Sequence, residues 1–331
     1  MKNILVTGAA GFIGTNLCKK LIKNGHNVIG IDNLLCPSPL NLPKEVLFFE
    51  MDVQNITHST ILEDIDEIYH LASIASPKFY KKHPFDTIDT NVNGTIAIAK
   101  FALTQNAKLL LVSSSEIYGQ PEIFPQPESY FGHRNTIGDR SCYDCSKGLG
   151  ETIIYEYAKK GLRATICRLH NTFGPGMRLD DGRFIVEFIQ KAINNKDVII
   201  FNNGEQTRCL TYIDDTIDGI IKAMENNSFG PFNIGSTNEM SVNEIAELII
   251  NIIGSQSKIK HIEYDKDDPK RRIPDITRAK KILNWEPKEK LINGLRKTIK
   301  NIVELMSENK KTIINIGRSK ISIIDTHNFE K

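Results

Sequence analysis

The opening 32 residues constrain this chain more than any other stretch. Lys2-Asn3-Ile4-Leu5-Val6-Thr7 reads as a short buried strand running into Gly8-Ala9-Ala10-Gly11-Phe12-Ile13-Gly14. A helix from Gly14 to Asn24 follows, and a second strand, Asn27 to Ile31, ends at Asp32. Glycines at these spacings let the backbone turn tightly and approach a pyrophosphate, whose charge then sits at the N-terminal end of the helix. An acid at the end of the second strand accepts hydrogen bonds from the adenosine ribose hydroxyls and repels a 2′-phosphate, which points to NAD rather than NADP. A lone glycine triplet is weak, but strand, turn, helix, strand and terminal acid in register specify a doubly wound α/β sheet.

The rest of the chain continues that pattern. Leu47 to Val53 reads as a third strand, with Asp52 and Val53 placed to frame an adenine, and Glu67 to Leu71 as a fourth, followed by the small residues Ala72-Ser73. A helix is expected from about Pro84 to Gln105, then a fifth strand, Lys108 to Ser113, leading into Ser114-Ser115-Glu116. Sites in open α/β sheets lie at the carboxyl ends of strands, so Ser114 and Glu116 stand where chemistry is expected. Residues 120–140 read as a long polar loop over that site. A helix carrying Tyr143 runs to about Lys160, and Arg163 to Leu169 is a sixth strand. Beyond Asp180 the alternation loosens: a helix Phe184 to Asn194, a short strand Val198 to Phe201, a polar turn at 204–208, a helix to about Glu225 and a returning strand at Phe232 to Gly235. Ser241-Val242-Asn243-Glu244 has the form of a capping box opening a helix to Ile253.

Tyr143 and Lys147 are four residues apart and so share one helix face. A phenol with its ordinary pKa of about 10 is a poor base at neutral pH unless a nearby cation stabilises the phenolate, and Lys147 is expected to be that cation. Tyr-x-x-x-Lys alone is common on amphipathic helices; the glycine-rich opening of the chain is what gives it meaning. Cys142 and Cys145 flank Tyr143 as a Cys-x-x-Cys, but no second Cys or His pair stands at metal spacing, so no metal site is expected. His170, alone at a strand end, reads as a packed structural histidine, and the charged run 267–275 as solvated surface except for Arg272.

Charge excludes some classes. A net charge of +2 with both signs mixed along the chain leaves no nucleic-acid footprint, and no apolar run is long enough to span a bilayer. Nothing near Met1 resembles a signal peptide, and the six cysteines sit mostly inside expected elements, as reduced thiols do. A cytoplasmic protein is expected.

Taken together, Thr7-Gly-x-x-Gly-x-x-Gly14, Ser114-Ser115-Glu116, Tyr143-x-x-x-Lys147 and Asn171-Thr172-Phe173-Gly174-Pro175 resemble the extended short-chain dehydrogenase/reductases that act on nucleotide sugars. Within that superfamily the pattern is most similar to the UDP-glucuronate decarboxylases. The likeness rests on His70-Leu71-Ala72-Ser73, Ile137-Gly138-x-Arg140-Ser141-Cys142-Tyr143-Asp144, Asp181-Gly182-Arg183, Gln206-Thr207-Arg208 and Asp267-Asp268-Pro269 with Arg272 and Pro274-Asp275, over residues 2–305.

The resemblance implies a Rossmann NAD-binding domain at 1–170, with return segments near 209–236. It implies a smaller interleaved α/β substrate domain at 171–208 and 237–306, and a homodimer packed through the Asn91 and Tyr143 helices. Gly8, Gly11, Phe12, Ile13, Gly14, Asp32, Asn33, Asp52, Val53, Leu71, Ala72, Ser73, Tyr143 and Lys147 would hold NAD. Tyr143, Lys147 and Ser114 would oxidise C4 of the sugar, and Glu116 and Arg272 would assist loss of the C6 carboxylate. Asn171, Arg183, Phe201, Gln206, Arg208 and Arg272 would bind the nucleotide sugar, with Phe201 at the uracil.

Several positions depart from the family pattern: Leu35-Cys36-Pro37, Cys145-Ser146, Gly148, His170 and Gly176. They bear on the exact sugar, the base and the grip on the cofactor. A 4,6-dehydratase would show an Asp-Glu pair where Ser115-Glu116 stands, and a 4-epimerase has no need of Glu116 with Arg272. A dehydrogenase or epimerase acting on another nucleotide sugar is the alternative activity, and a cofactor-binding regulatory module the non-enzymatic one. Residues 307–331 lie outside the resemblance; Thr312 to Ile316 and Ile321 to Ile324 read as short strands or an interaction tail.

Overall fold

The computed structural model describes residues 1–58, 62–263 and 270–318. Its centre is a seven-stranded parallel sheet of β1 (Asn3–Thr7), β2 (Asn27–Asp32), β3 (Leu47–Glu50), β4 (Glu67–His70), β5 (Lys108–Ser114), β6 (Ala164–Leu169) and β7 (Phe232–Ile234), in the order β3-β2-β1-β4-β5-β6-β7. Strand residues alternate between two cores, one on each face. Ile4, Val6, Leu110, Val112, Cys167 and Leu169 belong to one, and Leu5, Leu109, Leu111, Ala164 and Ile166 to the other. A sheet buried on both faces is what near-continuous apolar strands require. The strand order reverses between β1 and β4, and the crevice that this opens at the carboxyl ends is where the functional residues gather.

The helices are α1 (Phe12–Lys23), α2 (Pro77–Lys82), α3 (Pro84–Asp89), α4 (Thr95–Thr104), α5 (Ser141–Ala158), α6 (Phe184–Ile193), α7 (Ile213–Glu225), α8 (Val242–Ile253), α9 (Thr277–Leu283) and α10 (Leu291–Arg318). The capping box of α8 forms as expected, with Glu244 N–H donating to Ser241 Oγ at 3.1 Å and Ser241 N–H to Glu244 Oε2 at 2.7 Å.

Four local expectations are corrected. The helix expected over 84–105 is broken by a π turn at Thr90–Gly94. The extra residue in that turn carries Asn91 inward, where its Nδ2 donates to Ser146 Oγ on α5 at 2.8 Å. The third strand stops at Glu50, because Val53–His58 winds into a 3-10 helix. The polar turn at 204–208 is partly strand, Thr207–Cys209, paired antiparallel with Glu239–Ser241. Thr312 to Ile316 is helical, as the end of α10, because once a helix is running each further residue adds a hydrogen bond at little entropic cost, and that outweighs the four β-branched residues of the stretch. Ile321 to Ile324 and Asp267-Asp268-Pro269 lie outside the described residues.

Candidate active site

One cleft of about 1030 Å³ runs along the carboxyl ends of the strands, from the glycine turn to Arg208 and Arg272. At its first end Gly8 has φ +68°, and an added Cβ would stand 2.8 Å from the Ala72 backbone nitrogen. A Cβ on Gly14 would stand 2.0 Å from the Gly8 carbonyl oxygen, so these two positions require glycine. Gly11 is the N-cap of α1 with no side-chain cap, and the first turn contains no acid, which leaves the end of the helix open to an anion. Asp32, at the end of β2, accepts the Ala10 N–H at 3.0 Å and the Leu34 N–H at 2.8 Å, and burial pushes its carboxyl above the ordinary range.

The end of β4 is locked to β1 by Thr7, whose Oγ1 accepts the Leu71 and Ala72 N–H groups at 3.2 and 3.1 Å. The same hydroxyl meets His70 Nδ1 at 2.7 Å, and His70 Nε2 lies 3.1 Å from Thr95 Oγ1. This holds Leu71, Ala72 and Ser73 against the cleft, and Ser73 Oγ is buried there without a protein partner. Phe12, Ile13, Asn33 and Val53 also line the cleft. Asp52 does not: it is exposed, and its Oδ1 accepts from Asn33 Nδ2 at 2.8 Å. Met51 and Gln54 line that wall instead, and nothing in the strand reading singled out Gln54.

In the middle of the cleft α5 presents Tyr143 and Lys147 beside the end of β5, both buried. Ser114 hydrogen-bonds Tyr143, and Tyr80 of α2 stacks on its ring at 5.3 Å and 9°. Lys147 Nζ donates to the Val112 carbonyl at 3.0 Å, and burial pushes its ammonium down from 10.5 to about 8. The expectation that Lys147 holds down the Tyr143 phenol is not met. Burial pushes that phenol up to about 12, with Ser114 and Arg183 opposing the rise.

The strongest electrostatic feature lies next to Tyr143. Glu116, in the 3-10 turn that follows β5, is gripped on both oxygens by Arg272 and on one by Arg140. Burial alone would raise its carboxyl, but the two guanidinium groups outweigh that and hold it well below the carboxylate range. Asp144, 3.7 Å from Arg140 Nε, is pushed the other way by burial and by the Glu116 charge. Two carboxyls split in this way make a site in which one stays ionised and the other titrates near neutrality. Arg140 and Tyr80 were missed as site residues. The motif around Tyr143 contains Arg140, whereas Tyr80 carries no sequence signal.

At the far end stand Asn171, with φ +32°, and Arg183, whose Nη1 donates to Asp181 Oδ2 at 2.9 Å. Phe201 is 42% exposed at the rim, Gln206 Nε2 donates to the Phe201 carbonyl at 3.1 Å, and Arg208 is buried with Nη1 on the Thr207 carbonyl at 2.8 Å. All five line the same cleft. His170 lies buried outside the lining, with its imidazole pushed down to about 3 by burial. The six cysteines are unpaired, and among the described residues no group of His, Cys, Asp and Glu could hold a metal.

The family model for the NAD dependent epimerase/dehydratase family matches residues 4–235. The chain belongs to that family. It is 43% identical over 320 residues to UDP-glucuronic acid decarboxylase 3 of Arabidopsis thaliana, covering 96% of this chain and 91% of the relative. It is 45% identical over 296 residues to UDP-glucuronic acid decarboxylase 5 of the same plant, covering 88% and 86%. Among solved structures it superposes with a TM-score of 0.83 on UDP-glucuronic acid 4-epimerase from Bacillus cereus in complex with UDP-glucuronic acid and NAD. That match is 31% identical and covers 92% of this chain and 99% of the other.

Proposed function

We propose that this protein decarboxylates UDP-glucuronate to UDP-xylose through a 4-keto sugar, with NAD as a cofactor recycled in each turnover. The observation that carries this reading is the Glu116–Arg272–Arg140 cluster, set in one cleft with Tyr143 and Lys147. The decarboxylase relatives, at 43 and 45% identity, support it.

The open end of α1, the glycine turn, Asp32 and the unpartnered Ser73 hydroxyl fit NAD. Bound NAD supplies a two-electron acceptor that oxidises C4 and later reduces it again. The chain's own residues do the rest. Tyr143 takes the proton from the sugar O4 and returns it at the end, and Ser114 holds the same oxygen. Ser114 and Arg183 oppose charge build-up on the phenolate, and Lys147, cationic below about pH 8, would offer its charge to the bound cofactor. With a ketone at C4, the C6 carboxylate is a β-keto acid. The C5–C6 bond breaks, its electron pair enters an enolate spread over C5, C4 and O4, and carbon dioxide leaves. Arg272 and Arg140 offer positive charge where that carboxylate binds, and Glu116 fixes the direction of both guanidinium groups. A proton delivered at C5 completes the step. Asn171, Arg183 and Arg208 bind the diphosphate and ribose, and Phe201 with Gln206 flanks the uracil.

Residues 1–170, with the return segments near 209–236, form the cofactor part in this reading, and 171–208 with 237–306 the sugar-nucleotide part. The protein works as a homodimer through the segment that carries Asn91 and through α5, where Phe85 and Ile88 of α3 and Leu149 and Tyr155 of α5 expose apolar surface. Its six unpaired cysteines suit the cytoplasm, and finding it in a secreted fraction would overturn that placement. A C4 epimerase is the second reading, favoured by the fold match to the UDP-glucuronic acid 4-epimerase. Mass analysis of products from a panel of UDP-sugars separates the two, since decarboxylation removes carbon dioxide and epimerisation leaves the mass unchanged.

A further inference from the structure

Arg272 reaches the cleft from a loop, and a guanidinium that must meet a carboxylate needs to be held within about 0.5 Å. Its loop is fastened on both sides. On one side Thr207 N–H donates to the Lys270 carbonyl at 2.9 Å. On the other, Gln126 N–H donates to the Ile273 carbonyl at 2.8 Å, and Asp275 N–H donates to the Gln126 carbonyl at 2.9 Å, straddling Pro274. Both bonds of that bridge are made without the missing N–H of Pro274, and a further donor ties the same two segments from outside.

That donor is Asn233 on β7, a fully buried side chain outside the cleft lining. Its Nδ2 donates to the Gln126 carbonyl at 2.9 Å and to the Asp275 carbonyl at 3.0 Å, joining both strands of the fastening. Its Oδ1 accepts from Tyr118 Oη at 2.8 Å and from His170 Nε2 at 3.3 Å, which fixes the amide's orientation. Its backbone N–H donates to Glu128 Oε1 at 2.8 Å, holding the same covering loop. A primary amide is the side chain that offers two donors on one side and an acceptor on the other. Strand β7 is part of the rigid sheet, so the position of the Arg272 loop is referred to the sheet through this one amide.

We propose that Asn233 is a positioning residue for decarboxylation: by tying Gln126 and Asp275 to β7 it sets the Arg272 guanidinium against Glu116 and the sugar carboxylate. This rests on the decarboxylase reading above. Asn233 touches neither Tyr143 nor Ser114, so the oxidation of C4 does not depend on it, whereas the loss of carbon dioxide does.

The test follows both steps in one reaction with the full-length protein, NAD and UDP-glucuronate, reading reduced-nicotinamide absorbance for oxidation and trapped carbon dioxide for decarboxylation. Wild type is run first; if it releases no carbon dioxide, the decarboxylase reading fails and this proposal falls with it. Asn233→Asp keeps the shape and the acceptor but removes both donors. It is expected to leave the rate of oxidation within twofold and UDP affinity unchanged, while carbon dioxide release falls at least tenfold and reduced nicotinamide accumulates with a 4-keto product. Because an aspartate buried beside two carbonyls costs stability, Tyr118→Phe runs alongside. It removes one donor to the amide, keeps the ring, and is expected to shift the same ratio in the same direction by a smaller factor. A merely structural role lowers both steps by one common factor, in proportion to the folded fraction seen by circular dichroism. That result, an unchanged ratio in folded variants, or the unfolding of both variants, would overturn the proposal.

Discussion

Lys147 should make the protein less stable than a variant that lacks it, and the effect should depend on pH. Its ammonium is buried and pushed down from 10.5 to about 8. Between those two pH values the unfolded chain holds a proton that the folded chain has given up, so stability rises with pH across that window. Below about pH 8 the full cost applies, about 3 kcal/mol for a depression of this size, and above about 10.5 it vanishes. Lys147→Met keeps the stem and removes the charge. It also removes the 3.0 Å hydrogen bond to the Val112 carbonyl, worth about 1 kcal/mol. A net gain of about 2 kcal/mol is therefore expected at pH 7, alongside the loss of turnover. Urea unfolding of both proteins at pH 7, 8.5 and 10 measures it. The gap between variant and wild type should shrink as pH rises and change sign near pH 10. A variant that is less stable at pH 7, or a gap independent of pH, would refute the reasoning that burial has pushed this lysine down.

Other outcomes follow from the same cleft. Arg272→Ala leaves Glu116 with Arg140 alone and removes a buried charge from the carboxylate site; turnover should fall by about 2 to 5 kcal/mol, or roughly 30-fold to several thousand-fold, with UDP affinity retained in calorimetry. Wild type should bind NAD at least about tenfold tighter than NADP, and Asp32→Ala should narrow that ratio by about an order of magnitude, because a like charge facing the 2′-phosphate has gone; equal affinities in the wild type would contradict the role given to Asp32. Light scattering at micromolar concentration should give the mass of two chains, and a mass of one chain would remove the dimer through the Asn91 segment and α5.

What could be read from the chain depended on how local the physics was. The first 32 residues declare β1, the glycine turn, α1, β2 and Asp32, because each depends on neighbours close in sequence. The α8 capping box and the Tyr143–Lys147 face were legible for the same reason. The site's electrostatics were not. The resemblance put Glu116 and Arg272 in one role although they are 156 positions apart, but no periodicity reveals that they pair directly or that Arg140 closes the same clamp. The Tyr80 ring against Tyr143 and the amide of Asn233 are likewise products of tertiary packing. Lys147 shows a further limit. Spacing placed it on the correct face, but only the fold shows that burial, with Ser114 and Arg183 opposing it, governs the Tyr143 phenol. The π turn at Thr90–Gly94 escaped because the weak helix formers Thr-Asn-Val-Asn-Gly mark an irregular stretch but not its kind, and a contact with α5 sets its geometry.

The central claim is that carbon leaves the sugar at C6. Purified protein incubated with NAD and UDP-glucuronate labelled at C6 tests it directly, with the label followed into trapped carbon dioxide and the nucleotide sugar followed by mass. The expected result is one equivalent of labelled carbon dioxide for each UDP-xylose formed, with no net consumption of NAD. Retention of the label in a UDP-hexuronate of unchanged mass would contradict the claim and assign the cleft to epimerisation at C4.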